Sequence, residues 1–392
     1  MSPDRSPAVA TVLLLFAAAL FPPVAGGDET RVVPSLALKG EYNNNLFFTE
    51  KNPKESYVGT VSPGLKLSRR TERLDAVLSS VVDGVYYSAE ENLDSWNPRG
   101  QGKLGYRFTP AFRLSADASL RADKRPEHEI ETSGLVVTTR TRQRDYALGA
   151  EISMSEKSAA GLSYGYNRVD YPDQPLQDSE THSGSVNLVV DLGQRFTETK
   201  GRAGFSYASN RFTGLTVENY AFTVGVQKGA TELWSVQADI GGRYTRSEFD
   251  FLFGKEKTDN WGWVANVSLF YKGERGNGSL GYGRSVTAAS GRGGAAERNA
   301  VVLDLARRFL YELSGTFSAG YYRNFSDAGE FSLQGIDEQT VRARPGLRYD
   351  FTKDISVEAA YQYTRLRNRI SSETAEQHAG TLRFAVRYPL YE

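Results

Sequence analysis

The sequence predicts an all-β fold, a single antiparallel transmembrane β-barrel of about 18 strands, and three observations lead to it. Apolar and polar residues alternate with a period of two in segment after segment. These segments run about 10 to 16 residues, whereas strands of soluble domains are mostly 5 or 6. Short polar turns return at a spacing of about 40 residues, with longer polar connections between them.

Alternation is clearest in three stretches. From Phe112 to Asp123, apolar side chains occupy the even positions and polar ones the odd, which places the two sets on opposite faces of a strand. Tyr146, Leu148, Ala150, Ile152 and Met154 repeat the pattern, as do Trp234, Val236, Ala238 and Ile240. Near the C-terminus, Leu382, Phe384, Val386, Tyr388 and Leu390 alternate with Arg383 and Arg387. A tilted strand needs about 9–11 residues to cross a bilayer, so the length of these segments favours a membrane barrel.

The turns fall at Arg70–Arg73, Thr109–Ala111, Ser155–Ser158, Gly193–Thr199, Gly229–Thr231, Gly273–Gly276, Leu310–Glu312 and Thr352–Asp354. Phe108-Thr109, Phe196-Thr197 and Phe351-Thr352 share a local form, each closing one strand before a short polar turn. Eight short turns imply nine hairpins, hence 18 strands, with both ends on the periplasmic side. Sixteen is the alternative if one hairpin near Arg292–Phe325 or at the N-terminus is misread. A propeller blade has a similar period but four short strands, and each period here holds two long ones.

Composition agrees with this architecture. The chain has 392 residues, no cysteine, and 47 basic against 47 acidic residues. Balanced charge argues against a nucleic-acid partner, because affinity there comes from neutralising phosphates. The absence of cysteine excludes disulfides, thiolate metal sites and a lipidated N-terminal Cys. A mean hydropathy of −0.46 is incompatible with a helical bundle in a bilayer. Arg5, the apolar run Ala8–Phe21 and the following Pro22-Pro23-Val24-Ala25-Gly26-Gly27 read as a secretory signal peptide over residues 1–27. Residues 28–392 then form one barrel domain.

Charged side chains cannot face lipid cheaply, so those on the polar face of each strand must line water or pair with one another. The candidate lumen set is Arg113, Asp117, Arg121, Glu151, Asp239, Arg243, Arg342, Arg344, Arg348, Arg383 and Arg387. Mixed sign argues against a one-signed ion filter. Arginine supplies 34 of the 47 basic residues and suits planar contacts to carboxylates, phosphates or sugars. Arg342, Arg344 and Arg348 with Arg383 and Arg387 could form a basic ladder; equally, they pair with wall carboxylates and stiffen the barrel. The aromatic clusters Tyr86-Tyr87, Tyr164 with Tyr166, Trp261 with Trp263, Phe270-Tyr271, Tyr321-Tyr322 and Tyr361 with Tyr363 suit the lipid–water boundary.

No chemistry is indicated. His128, His182 and His378 are scattered, and the adjacent His182-Ser183 is weak support for a triad. No carboxylate cluster has metal-ligand spacing, so neither catalysis, cofactor nor metal is expected. Lys124–Val137, the longest connection, is the segment an inward constriction would use, although an external hairpin extension accounts for it more simply.

Gly40-Glu41-Tyr42-Asn43-Asn44-Asn45-Leu46-Phe47-Phe48-Thr49 resembles the opening strand of the β-barrel porin 2 family, and Val61-Ser62-Pro63-Gly64-Leu65-Lys66-Leu67 resembles the Ser-Pro-Gly-Leu segment that follows it there. The specific words cover residues 40 to 67, and length and strand rhythm match over the whole mature chain. The ending Tyr391-Glu392 departs from the terminal aromatic of such barrels. The resemblance implies an outer-membrane barrel associated with exopolysaccharide secretion, with a polysaccharide cargo, envelope secretion components and outer-membrane lipid as partners. A passive diffusion porin for small polar solutes, or a sheath or scaffold for a periplasmic or surface partner, are the other functions this architecture allows.

Overall fold

The computed structural model describes residues 29–125, 139–173, 176–193, 196–251, 254–289 and 291–390. The signal peptide expected over 1–27 and most of the Lys124–Val137 connection lie outside the described residues. Eighteen strands follow one another: β1 (Glu29–Asn43), β2 (Ser56–Arg70), β3 (Leu74–Tyr87), β4 (Ser95–Thr109), β5 (Phe112–Asp123) and β6 (Thr141–Ser155). Next come β7 (Ser158–Asp170), β8 (Ser179–Asp191), β9 (Thr199–Phe212), β10 (Leu215–Gly229), β11 (Trp234–Phe251) and β12 (Gly254–Lys272). The last six are β13 (Gly276–Ala289), β14 (Gly294–Arg308), β15 (Leu313–Ser326), β16 (Ile336–Asp350), β17 (Ile355–Asn368) and β18 (Thr374–Arg387).

Every strand pairs antiparallel with its successor, and β1 pairs with β18 from Ser35↔Arg387 to Asn43↔Ala379. The sheet therefore closes and has no free lateral edge at that seam, the arrangement a bilayer demands because no backbone group may be left unpaired in hydrocarbon. Closure extends past β18, where Tyr388 and Leu390 donate to the carbonyls of Pro34 and Val32 at 3.0 and 2.8 Å. The same register separates the faces. Leu38↔Phe384 and Leu36↔Val386 point outward, while Lys39↔Arg383 and Ser35↔Arg387 point inward. A closed antiparallel barrel with an apolar outer band and a polar interior is an outer-membrane barrel, and the chain is placed in the bacterial outer membrane.

All eight predicted turns join the strands expected. Three of them owe their tightness to a threonine. Thr71, Thr231 and Thr352 each accept, through Oγ1, the N–H groups two and three residues on, at 3.0–3.3 Å. This local bond caps the turn and stops the strand, and Thr352 makes it within one of the three Phe-Thr words. At the opposite rim, Thr213-Gly214 joins β9 to β10, with Gly214 in the left-handed region at φ +74°. Gly241 is required for a different reason: a Cβ there would collide with the Phe222 carbonyl of β10.

Adjacent aromatic pairs divide differently from the expected girdle. A period of two cannot send neighbours to the same face. Tyr86 and Tyr321 are exposed to lipid, but Tyr87 and Tyr322 are buried on the inner side. Tyr322 there receives the Arg298 guanidinium over its ring at 4.8 Å.

One seam is incomplete. β12 pairs with β13 only from Ala265↔Arg284 to Lys272↔Asn277, so Gly254–Val264 has no partner on that side. Above Arg284 the β13–β14 hairpin leaves the wall and turns into the barrel.

Candidate functional site

The inturned hairpin can be traced through its contacts. Val286 and Ala288 of β13 and Ala295 of β14 pack against Phe212 of β9, Leu215 and Val217 of β10 and Phe249 of β11. Exposed Phe222 and Val224 mark the outer face of β10, so Leu215 and Val217 belong to its inner face. The hairpin thus folds into the lumen and packs on the inner wall of the nearby strands β9–β11. Its tip makes further contacts. Gln177 of the β7–β8 connection and Gly291 exchange backbone hydrogen bonds at 3.3 and 3.5 Å, and Arg292 ion-pairs with Glu338 of β16.

The β15–β16 connection, residues 327–335, folds in over this hairpin. Phe331 is 1% exposed and completes the apolar cluster, its carbonyl accepting from the Ala295 N–H at 2.8 Å. Arg243 of β11 sets its guanidinium 5.2 Å from the Phe331 ring centre and donates to Thr245 and Asn260 at 3.1 and 3.3 Å. Asn260 in turn donates to Glu330 at 2.7 Å. Residues 327–335 are thus one inward-folding segment among the described residues; the longest connection, Lys124–Val137, lies mostly outside them.

A second connection, residues 44–55, folds in from the other side. The asparagine run explains how. Asn43 Oδ1 accepts from the Asn45 N–H at 3.0 Å, Asn44 Oδ1 from the His378 N–H at 2.7 Å, and Asn45 Nδ2 donates to the Glu376 carbonyl at 2.9 Å. Short amides satisfy the backbone where the ladder ends and leave Leu46 to pack on Val58, Val85, Tyr87 and Leu93. Phe48, held at φ +49°, packs on Ala375 and Leu366. Between this loop and the hairpin tip remains a cavity of about 430 Å³, edged by Glu50, Lys51, Arg292, Glu338 and Glu373.

Below these segments the candidate lumen residues occupy three separate patches of the inner face. Arg342, Arg344, Arg348, Arg383 and Arg387 come together on β16 and β18. Arg342 donates to Gln362 at 2.7 Å, Arg344 to Glu358 at 3.4 Å and Arg348 to Asp350 at 2.8 Å. Arg383 and Arg387 have no carboxylate partner among the described residues, and with Arg99, Arg348 and Glu358 they surround one recess of the wall. Arg113, Asp117, Arg121 and Glu151 form a second patch, in which Arg121 donates to Gln143 at 2.5 Å and Lys103 pairs with Asp117 at 3.8 Å. Asp239 belongs to a third, bonded by Arg202 at 3.0 Å, and Arg243 lies higher on the same strand, buried under Phe331. On β16, then, Arg344 and Arg348 bond carboxylates and Arg342 an amide, unlike the two arginines of β18. The His182-Ser183 pair is divided by the pleat. His182 contacts outer-face Tyr164, while the Ser183 hydroxyl donates to the Gly165 carbonyl at 3.5 Å.

Glu330, Phe331, Leu215, Val217 and Glu338 were not singled out in the sequence. A signal existed for Leu215 and Val217, apolar residues at positions that should face water, one face away from Phe222 and Val224; Glu330, Phe331 and Glu338 carried none.

Burial holds the Glu330 carboxyl above the usual carboxylate range. The Asp327 N–H that bonds it and the charge of Arg243 oppose this rise, and the carboxylate charges of Asp327 and Glu297 add to it. A raised carboxyl favours docking in its protonated form, so docking is strongest below the carboxyl's unfolded value and weakens as pH rises through the raised one. Conductance across a planar bilayer is accordingly expected to rise from acidic to neutral buffer, and Glu330→Gln to flatten that rise. An unchanged profile in the variant would assign the response to another group.

No family model matches the chain, and a search of curated proteins returns no match. Solved structures do resemble it. OpdK of Pseudomonas aeruginosa, an outer membrane protein, is 10% identical with a TM-score of 0.45, covering 91% of this chain and 99% of its own. OpdL of Pseudomonas aeruginosa is 12% identical with a TM-score of 0.48, covering 93% and 99%. OccAB4 of Acinetobacter baumannii is 11% identical with a TM-score of 0.47, covering 93% and 100%. The chain's own closed ladder, and not this likeness, establishes the barrel.

Proposed function

We propose that this porin-type barrel is a passive, constricted diffusion channel for small polar solutes. The observation that carries the reading is the narrowed mouth: the β13–β14 hairpin and residues 44–55 and 327–335 pack on the inner wall, and a cavity of about 430 Å³ lies between residues 48–51, Arg292 and β16–β18. A mouth filled by three inturned segments suits small solutes, not a thick polymer. Solutes pass this entrance and then the recess beside Arg383 and Arg387, whose free guanidinium groups draw carboxylate-bearing or otherwise anionic cargo.

Export of an exopolysaccharide rests on the resemblance of residues 40–67 to the β-barrel porin 2 family. The Asn43–Asn45 run at the heart of that resemblance holds a loop inside the lumen, which supports narrowing instead of a wide conduit. Membership of that family remains part of this proposal, since its characteristic words serve the same constriction. Liposome swelling tests the function directly. Monosaccharides and small organic acids are expected to enter, with rates falling steeply for trisaccharides. Equal entry of long oligosaccharides, or loss of surface polysaccharide on deleting the gene, would return the export reading.

A further inference from the structure

The outer face carries one arrangement twice. On β7 and β8, Tyr166 lies opposite His182, Arg168 opposite Glu180 and Tyr164 opposite Gly184. On β17 and β18, Tyr363 lies opposite His378, Arg365 opposite Glu376 and Tyr361 opposite Gly380. The side chains make matching contacts. The Tyr164 hydroxyl meets His182 Nδ1 at 2.8 Å, and that of Tyr361 meets His378 Nδ1 at 2.6 Å. Tyr166 and His182 rings lie 5.1 Å apart, Tyr363 and His378 rings 5.2 Å. Arg168 approaches Glu180 at 3.7 Å, and Arg365 approaches Glu376 at 3.5 Å.

The match continues onto the next two strands. Each glycine has a tyrosine on its other side, Tyr207 beyond Gly184 and Tyr42 beyond Gly380. Each of those tyrosines pairs with another, Tyr220 at 5.0 Å and Tyr57 at 5.2 Å. Each also donates to a glutamate two residues before its partner, Tyr207 to Glu218 at 2.9 Å and Tyr42 to Glu55 at 2.8 Å. The four strands β7–β10 and the four strands β17, β18, β1 and β2 stand ten strands apart in one direction and eight in the other. Tyr244, Asp259 and Trp261 on β11 and β12 repeat the tyrosine–acid–aromatic part, but without the histidine and glycine. A girdle needs aromatic rings at the boundary; it does not need this residue set in this register, with both described histidines in the same role.

We propose that each copy is a binding site for a phosphorylated lipid of the outer leaflet. Gly184 and Gly380 make an open floor between two tyrosines. A Cβ at Gly380 would meet nothing within 4 Å, and one at Gly184 would meet only the Ser163 carbonyl, at 3.8 Å. Beside Gly380 the floor widens over Gly40 and Gly59, equally open, and runs along Leu382. Such a trough between rings receives an aliphatic chain. Above it stand the tyrosine hydroxyls, the histidine and an arginine with donors to spare: Arg365 has Glu376 at 3.5 Å, and Arg168, which bonds Asp170 through Nε at 2.6 Å, has Glu180 at 3.7 Å for the rest of its fork. That arginine takes the phosphate. The two glutamates of each site require a positive charge as well, so the headgroup brings one, either its own ammonium or a divalent cation held by its phosphates. The tail lies toward the apolar band and the head at the rim, the orientation an outer-leaflet lipid has already.

Native mass spectrometry of the full-length barrel in detergent tests the proposal, with phosphatidylethanolamine and deep-rough lipopolysaccharide as probes. Two retained copies per barrel are expected. Gly184→Leu or Gly380→Leu should leave one copy, and the double variant none, with heat-modifiable migration on gels unchanged because neither added side chain meets backbone closely. Arg168→Gln with Arg365→Gln should weaken retention of both copies about tenfold or more, as loss of a charge-assisted contact does. Chelation separates the two sources of positive charge: lipopolysaccharide lost to EDTA identifies the divalent cation, and phosphatidylethanolamine retained through it identifies the ammonium. The proposal is overturned if neither probe is retained, if the double glycine variant keeps both copies, or if the barrel self-associates and sheds lipid from these faces. None of these readouts depends on conductance, so the channel reading stands or falls separately.

Discussion

Phe331→Ala is expected to open the outer mouth, raising single-channel conductance several-fold in a planar bilayer while the barrel stays folded. The ring sits among Phe212, Leu215, Val217, Phe249 and Ala295, contributed by the inner walls of β9, β10 and β11 and by the inturned hairpin. Truncating a buried Phe costs about 3–5 kcal/mol, through lost transfer energy and the cavity left behind. Spread over a whole barrel such a loss is tolerable, because the closed ladder does not include residues 327–335. Concentrated on one loop it exceeds what the remaining tethers supply. Those tethers are few: the Ala295–Phe331 backbone bond, the Asn260–Glu330 bond, and Ser332 against Ser326 at 3.1 Å. Arg243 would lose the ring above its guanidinium and face water once the loop leaves. Unaltered conductance in a variant with normal heat-modifiable migration would show that residues 327–335 do not bound the passage.

The barrel was legible because its cause is local. Alternation along Phe112–Asp123 or Leu382–Leu390 assigns a face to each residue, and the Thr71, Thr231 and Thr352 turns are written within three residues. Register then follows from turn length, and with it the inward position of Arg342, Arg344, Arg348, Arg383 and Arg387. The constriction was legible only as an exception. Leu215 and Val217 occupy inner positions of a strand whose later inner residues, Asn219, Ala221, Thr223, Gly225 and Gln227, are polar or small, yet nothing near them names Phe331, over a hundred residues on. Loops fold inward for a partner that the strand pattern does not specify. The connection most conspicuous by length, Lys124–Val137, lies mostly outside the described residues, whereas the shorter 327–335 finds such a partner in the apolar cluster of β9–β11. The doubled outer-face arrangement was hidden differently. Tyr164 and Tyr166, and Tyr361 and Tyr363, were visible as girdle residues, but their histidine and glycine partners join them only across the register. The asparagine run shows the reverse case, a sequence word with a resemblance attached whose physical purpose appears only once Asn44 and Asn45 are seen bonded to the last strand.

Reversing the charge of the unpaired arginines should reverse the channel's ionic preference. In the Arg383→Glu, Arg387→Glu double variant, the reversal potential under a salt gradient is expected to change sign from anion-preferring to cation-preferring. The recess they share holds Arg99 and Arg348 against Glu358 alone. Arg99 is partly offset by Asp83 at 3.4 Å and Arg348 by Asp350 at 2.7 Å, so the uncompensated charge belongs to Arg383 and Arg387. Lys39 faces Arg383 across the β1–β18 seam, but pairs with Glu41 at 2.7 Å. Two charges reversed change the local balance by four, in a wall whose formal balance over the chain is zero. Fields in a water-filled lumen reach about 10 Å at 0.1 M salt and about 3 Å at 1 M, so the preference of either form should fade between those concentrations. The paired arginines offer an internal comparison. Arg344→Gln and Arg348→Gln each leave a carboxylate without its partner, Glu358 and Asp350 respectively, and should lower anion preference without reversing it. Were the double reversal to leave the potential unchanged, the ions would be following a route away from β18, and the Arg383–Arg387 recess would be a structural feature of the wall and no part of the passage.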